Sequence, residues 1–417
     1  MLLHQVKLPH FKHSAESETV KLPMPDKVVI SMAQHLGAPC TPTVKVGDKV
    51  KIGDVIGSSE AAMSAPVHSS ISGTVTAITD VLHISGRNMQ SVVIENDGLE
   101  EVSDSVCPPT VENREQFLQA VRNSGSIGLG GAGFPTSLKL GFDPKEKQPD
   151  FLIINGAECE PYMTSDYRCF MEEGEDVLEG VLLMLKYLGI PKCIIGIEKN
   201  KPKAIEKMTR LCEKHDNITV KPLKSSYPQG AEKTLIFSTT GRVVKEGTLP
   251  LASGCIVVNS STAAFIAQYI RTGMPLVKRR ITVDGNIVKK PSNFIVPVGM
   301  SIGEIVYYAE LSDKPDRIIL GGPMMGACAF DPDYPLSKTN NAVLMFADSP
   351  VYEPSECIRC GKCVKACSMN LLPTELEHAF DMRDARQLEK LKVNLCVNCG
   401  ACSFVCPAKP VSYTHLR

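Results

Sequence analysis

The stretch "SIGLGGAGFPTSLK", Ser126 to Lys139, contains a literal G-x-G-x-x-G at Gly128, Gly130 and Gly133. A dinucleotide-binding turn of that form needs a strand immediately before its first glycine and a helix immediately after. The preceding segment, "REQFLQAVRNSG", instead sets Phe117, Leu118 and Val121 on one helical face. This disfavours an ordinary dinucleotide fold. A P-loop is excluded because no Gly-Lys-Ser/Thr follows. A bland turn has no need of five glycines in the nine residues from Gly125 to Gly133. Glycines let backbone N–H groups approach an anion closely. Pro135 and Thr136 suit the first turn of a helix, whose N-terminus favours phosphate, and Lys139 adds positive charge one turn in. The stretch reads as a cradle for a phosphate and an attached ring.

Around this loop the pattern alternates. "DFLIIN", "KCIIGIE" and "ITVKPLK" are apolar strands, separated by the helical runs "EGEDVLEGVLLMLKYLG" and "KPKAIEKMTRLCEKH". Such alternation predicts an α/β domain with a largely parallel sheet, which takes ligands at the carboxyl ends of its strands. "NGAECEP" follows the first strand and carries Asn155, Glu158 and Glu160. Carboxylates repel phosphate, but they suit ribose hydroxyls or the donor edge of a ring.

Cysteine usage points to a second chemistry. Eight of the 16 cysteines crowd between Cys357 and Cys406, in "CIRCGKCVKAC" and "CVNCGACSFVCP". Both runs are C-x2-C-x2-C-x3-C, a spacing in which three thiolates hold one cubane and the fourth crosses to the other. Zinc closes with two C-x2-C pairs and leaves the third cysteine unexplained. The expectation is two [4Fe–4S] clusters, one on Cys357, Cys360, Cys363 and Cys406, the other on Cys396, Cys399, Cys402 and Cys367. Residues from about 350 to 410 resemble a bacterial two-cluster ferredoxin. The insert "PTELEHAFDMRDARQLEKLKV" is predicted helical, opened by Pro373 and Thr374, with Leu376, Phe380 and Leu388 near helical spacing. The scattered cysteines, Cys40, Cys107, Cys159, Cys169, Cys193, Cys212, Cys255 and Cys328, read as small buried hydrophobes.

Composition narrows the class. The 417 residues carry 45 basic and 46 acidic side chains, with no basic stripe, which speaks against nucleic acid. No apolar run reaches the roughly 18 residues of a membrane span. "MLLHQVKLPHFKHS" lacks the pattern of a signal peptide, so a cytoplasmic protein with at most a peripheral membrane role is expected. His10 and His13 have no further ligands beside them in sequence and predict no metal site. Residues from about 41 to 80 resemble a lipoyl/biotinyl barrel-sandwich. Its hairpin tip, "SSEAAMSAP", lacks the attachment lysine, which leaves a packing or docking module. From about 278 to 345, strands around an Asp284–Gly285 turn and one short helix resemble the soluble-ligand-binding β-grasp (SLBB) domain.

"GLGGAGFPTSLK" followed by "NGAECEP" closely resembles the FMN- and NADH-binding subunit of respiratory complex I, and more closely its relative, the C subunit of the Rnf (Rsx) electron transport complex. "YPQGAEK" (Tyr227, Gly230, Glu232) and "VVNSSTAAFI" (Asn259, Ser260, Thr262) resemble the remaining flavin-site segments of that family. The sequence departs from the complex I pattern at Leu129, Ala157 and Ala231. The resemblance implies four domains: a barrel-sandwich over 1–105, a Rossmann-like FMN/NADH-binding α/β domain over 106–275, an SLBB domain over 276–347 and a ferredoxin-like domain over 348–417. It also implies that Gly128, Gly130, Gly131, Gly133 and Lys139 hold FMN, with Asn155, Glu158 and Glu160 nearby and Phe134 lining the nicotinamide site. NADH gives up two electrons together, whereas a cluster takes one, and FMN handles both. The implied function is electron input from NADH through FMN and two clusters to membrane-embedded Rnf subunits, including a flavoprotein and a ferredoxin-type subunit, at the cytoplasmic face. No proton-transfer or nucleophilic residue is required. A soluble cobalamin reductase and a proline-reductase electron-transfer protein share this domain order. A ferredoxin-like scaffold without NADH activity is a further alternative. After "CPAKP" the sequence reads "VSYTHLR", where Rnf relatives continue with a basic helical tail.

Overall fold

β-branched residues alternating with polar ones, cut by Gly-Asp turns, make the N-terminal region a set of short strands. The computed structural model describes residues 4–348, 353 and 355–408, and "VSYTHLR" lies outside them. Strands β1 (Val20–Lys21), β2 (Lys27–Ser31), β3 (Thr41–Pro42), β4 (Lys49–Val50), β5 (Val55–Ser58), β6 (Val67–His68), β7 (Gly73–Leu82) and β8 (Asn88–Asn96) follow in order. A four-stranded antiparallel sheet, β2-β8-β7-β4, faces a three-stranded one, β3-β5-β6. Val28, Ile30, Ile56, Val67, Val75, Val92 and Ile94 fill the space between them, as a barrel-sandwich requires.

Helices α1 (Arg114–Asn123) and α2 (Thr136–Leu140) flank the glycine stretch. Beyond them run β9 (Phe151–Gly156), α3 (Ser165–Leu188), β10 (Lys192–Glu198), α4 (Pro202–Cys212), β11 (Ile218–Leu223), α5 (Glu232–Thr240), β12 (Cys255–Asn259) and α6 (Ser260–Thr272). All pairings in the sheet β11-β10-β9-β12 are parallel, and helices cover both faces. Leu152, Ile154, Ile256 and Val258 pack under α3 and α6, while Ile153 and Val257 point the other way, to Leu235 and Ile236 of α5. α3 and α6 touch at Gly180, where a Cβ would lie 1.9 Å from the Ala263 carbonyl oxygen. α3 begins eight residues before the apolar run that predicts it and bends at Glu173 (φ −123°, ψ 28°). Arg168 and Arg280 pair with Glu172 there, and Arg280 also with Glu173. The extra turns bury Tyr167 and Phe170, but Asp166 and Arg168 are buried beside them and interrupt the apolar pattern in the sequence.

The third unit comprises β13 (Lys278–Asp284), β14 (Ser292–Pro297), α7 (Ile302–Tyr307), β15 (Arg317–Leu320), β16 (Ala327–Cys328) and β17 (Ala342–Phe346). Its mixed sheet has the order β1-β14-β13-β17-β15-β16, so the N-terminal segment supplies an edge strand. Asp284 and Gly285 open a connection running to Pro291, wider than a two-residue hairpin turn. A capping box between Ser301 and Glu304 starts α7.

The last unit holds α8 (Lys362–Ala366), α9 (Pro373–Asp381), α10 (Ala385–Lys390) and α11 (Ala401–Val405). The insert expected as one helix is two. Arg383 takes a left-handed conformation (φ 53°), and Asp384 restarts the chain by accepting from the Gln387 N–H at 2.9 Å. Leu376 is fully buried, but Phe380 is exposed. Among the scattered cysteines, Cys40, Cys169, Cys193, Cys212 and Cys255 are buried as expected. Cys107 and Cys328 lie at the surface and Cys159 is half-buried.

Candidate functional site

The glycine loop closes on itself: Gly128 N–H donates to the Phe134 carbonyl at 2.8 Å, and Gly133 N–H to the Gly128 carbonyl at 3.2 Å. Other carbonyls are tied down from outside. Arg279 Nη2 donates to Leu129 O at 2.9 Å, Lys338 Nζ to Gly125 O at 3.0 Å, and Leu36 N–H to Gly133 O at 2.9 Å. Thr262 accepts from the Leu129 N–H at 3.0 Å. Gly130, Gly131 and Ala132 are exposed, and among the described residues their N–H groups meet no acceptor. Gly131 has φ +107°, with nothing within 4 Å of where a Cβ would stand. Three free donors over open space suit a phosphate or another electron-rich group.

This loop sits at the carboxyl ends of the parallel strands. Gly130 lies against Asn259, the last residue of β12 and the N-cap of α6. Asn259 donates to Asp166 at 2.8 Å. Asn155, near the end of β9, donates to the Gly230 carbonyl at 3.0 Å and joins the "YPQGAEK" segment to the site. Lys139 Nζ is shared between Glu232 Oε1 (3.0 Å) and the Val257 carbonyl (3.1 Å). Ser260 and Thr262 are buried in the first turn of α6, and Phe134 is half-buried at the loop's exit. The residues expected from separate motifs therefore converge on one edge of the sheet.

Glu158 and Glu160 turn inward. Glu158 accepts from the Asp166 N–H at 2.7 Å, and Glu160 from the Met324 N–H at 2.9 Å. Burial pushes the Glu158 carboxyl up against the pull of Lys12, and pushes Glu160 up to about 7. The Cys159 thiol between them is driven up to about 12 by burial. Lys12 is itself depressed by burial and donates to the carbonyls of Glu158 (3.0 Å) and Glu160 (2.8 Å). In this structure the two carboxyls tie the "NGAECEP" segment to the start of α3 and to Met324.

The C-terminal cysteines fall into two groups. Cys367, Cys396, Cys399 and Cys402 line one cavity, about 400 Å³ with its mouth. Cys357, Cys360, Cys363 and Cys406 line another of about 330 Å³. Each group draws three cysteines from one run and one from the other, a donor set that fits a cubane held by four thiolates. Among the described residues no cluster of three or more ligating side chains is tight enough for a single metal ion. Cys357 and Cys360 are exposed, whereas Cys399 and its neighbours pack against the flavin-side segment.

Three family models match. The RnfC barrel sandwich hybrid domain covers residues 3–99, the Nuo51 FMN-binding domain 121–268, and the 4Fe-4S dicluster domain 356–409. The C subunit of the Na(+)-translocating ferredoxin:NAD(+) oxidoreductase complex of Acetobacterium woodii is 41% identical over 84% of this chain and 81% of that protein. The proton-translocating counterpart of Clostridium ljungdahlii is 40% identical over 92% and 85%. The chain belongs to the RnfC family. Among solved structures, an NAD+-reducing [NiFe]-hydrogenase in the air-oxidized state shares the fold, with a TM-score of 0.53 and 19% identity, over 70% of this chain and 60% of that one. As an RnfC-family member the chain combines an FMN-binding domain with a dicluster domain. Sequence reasoning missed four residues of its site: Lys12, Arg279, Lys338 and Met324. Three are cations outside the glycine and cysteine motifs. The fourth had a signal in "GGPMMG", because a Cβ on Gly322 would lie 2.4 Å from the Glu160 carboxyl carbon.

Proposed function

We propose that this chain is the NADH-oxidising electron-input subunit of an ion-translocating Rnf complex. One observation carries the reading: a single segment, Tyr227–Gly230, bonds both Asn155 at the sheet's carboxyl edge, where the free loop amides lie, and Cys399 of a four-cysteine cavity. In it, Gly128, Gly130, Gly131 and Gly133 shape the flavin seat, and the Gly130–Ala132 amides meet its electron-rich groups. Lys139, paired with Glu232, adds positive charge, and Phe134 lines the nicotinamide site. Asn155, Asn259, Ser260 and Thr262 fix the walls, while Glu158 and Glu160 hold the floor. FMN, when bound, converts a two-electron donor into the one-electron steps that [4Fe–4S] clusters accept. Cys357, Cys360, Cys363 and Cys406 hold one cluster, and Cys396, Cys399, Cys402 and Cys367 the other.

Four domains with boundaries near 105, 275 and 347 follow from this reading, the third of them an SLBB β-grasp domain. No helix among the described residues is long and apolar enough to cross a membrane. In the proposed reading the chain docks from the cytoplasmic face on membrane-embedded Rnf subunits, among them a flavoprotein and a ferredoxin-type subunit. Membrane vesicles from the producing cells test this. The chain should sediment with the vesicles, and Cys396→Ser should abolish their NADH-dependent ferredoxin reduction. A chain recovered wholly in the soluble fraction and reducing cobalamin would favour the soluble relatives instead.

A further inference from the structure

A direct side-chain link joins the flavin-side segment to a cluster cysteine. Tyr227 is 1% exposed, and its hydroxyl donates to the Cys399 carbonyl at 2.6 Å. Its ring packs with Leu8, Met324, Ala366 and Ala401, with Cys159 and Cys399 at the margin of the same apolar cluster. Its backbone is fixed too, exchanging two 2.8 Å hydrogen bonds with Val6. Three residues on, Gly230 is bonded to Asn155 through its carbonyl and to Cys159 through its N–H. The hydroxyl also faces the buried Glu160.

We propose that Tyr227 is a positioning residue for the cluster held by Cys367, Cys396, Cys399 and Cys402, fixing it against the flavin segment as the first cluster to receive electrons. The inference rests on the function proposed above and concerns its internal order. Held by Cys367, Cys396, Cys399 and Cys402, that cluster would accept electrons one at a time, and Tyr227 would keep its Cys399 side against the flavin segment. The other cluster, whose Cys357 and Cys360 are exposed, is then the one that faces a partner. Tyr227 itself is neither oxidised nor reduced. Its O–H dipole directs positive charge at the Cys399 peptide, beside the place where reduction adds negative charge. A hydrogen-bond donor aimed at the peptide beside the cluster favours the more negative reduced state and so raises the potential, whereas burial acts in the opposite direction.

Tyr227→Phe removes only the hydroxyl. In the full-length protein reconstituted with FMN, iron and sulfide, the clusters are titrated with a chemical reductant and followed by electron paramagnetic resonance. Cys357→Ser and Cys396→Ser assign the two signals. The expected result is a lower potential for the signal lost in Cys396→Ser, with the other signal unmoved. Rapid mixing with NADH should also show cluster reduction slowed at least tenfold relative to flavin reduction in the same sample. Two unchanged potentials, or a shift confined to the signal lost in Cys357→Ser, would overturn the proposal. If Tyr227→Phe assembles only one cluster, loss of the Cys396 signal supports it and loss of the Cys357 signal overturns it. The titration needs no NADH, so its outcome is separable from failure of the dehydrogenase reading, which would appear as unreduced flavin in the unmodified protein.

Discussion

Glu160 has a carboxyl value raised by burial from the ordinary 4.5 to about 7, and such a group favours folding most when protonated. Its contribution is complete below pH 4.5 and is lost as the pH rises through about 7. Glu160→Gln keeps an acceptor for the Met324 N–H and removes the ionisation. Its thermal midpoint should fall less than that of the unmodified protein between pH 5 and pH 8, a difference of up to about 3 kcal/mol. Parallel curves would contradict this assignment. Arg279 makes the complementary case. It is fully buried, its guanidinium lowered to about 10 by desolvation, and it bonds the Leu129 carbonyl. Arg279→Leu leaves that carbonyl unpaired, at a cost of about 1–3 kcal/mol, and should weaken FMN binding about tenfold to hundredfold in a fluorescence titration. At this scale the sequence was legible where chemistry needs a motif, as at the eight clustered cysteines or at Asn155. It was opaque at Lys12, Arg279 and Lys338, which act through backbone carbonyls. A cation that grips a carbonyl imposes no residue type on its partner, so no pattern records it.

The glycine loop has the neighbours its sequence predicts: α1 before it, a short helix after it, and a parallel strand leading to "NGAECEP". Its clamping by other units has no local signal in the sequence. Gly133 adopts φ +64°, and a Cβ there would come 2.7 Å from Thr339 Cγ2 of the third unit. Gly133→Ala should therefore lose about 1–2 kcal/mol to backbone strain, plus a contact penalty. Adding Thr339→Ser removes the offending methyl and should recover the contact part only, as measured by thermal midpoint and FMN affinity. Full recovery would place the cost in the contact alone. The break between α9 and α10 was also hidden, because near-helical spacing runs across it. Its signal was Asp384, whose side chain caps Gln387. Asp384→Ala should weaken the first turn of α10 by about 1 kcal/mol, visible as faster hydrogen exchange at the Gln387 amide.

Across the whole molecule, the order of units was readable because each has its own period: alternating short strands, then strand–helix repeats, then a hairpin with one helix, then paired cysteine runs. Their assembly was not readable. The N-terminal segment adds an edge strand to the third unit's sheet, holds Tyr227 through Val6, and reaches α8 through His4 and the Lys365 carbonyl at 3.0 Å. Contacts of this kind, between residues hundreds of positions apart, depend on register and shape and leave no local trace in composition. They explain how a flavin seat and two cysteine cavities come to share one framework. The most direct test of that account is anaerobic addition of NADH to the purified full-length protein reconstituted with FMN, iron and sulfide, followed by visible absorption. Loss of the flavin absorption, followed by loss of the iron–sulfur absorption, is the expected result. Bound FMN that stays oxidised along with the clusters in excess NADH would contradict it.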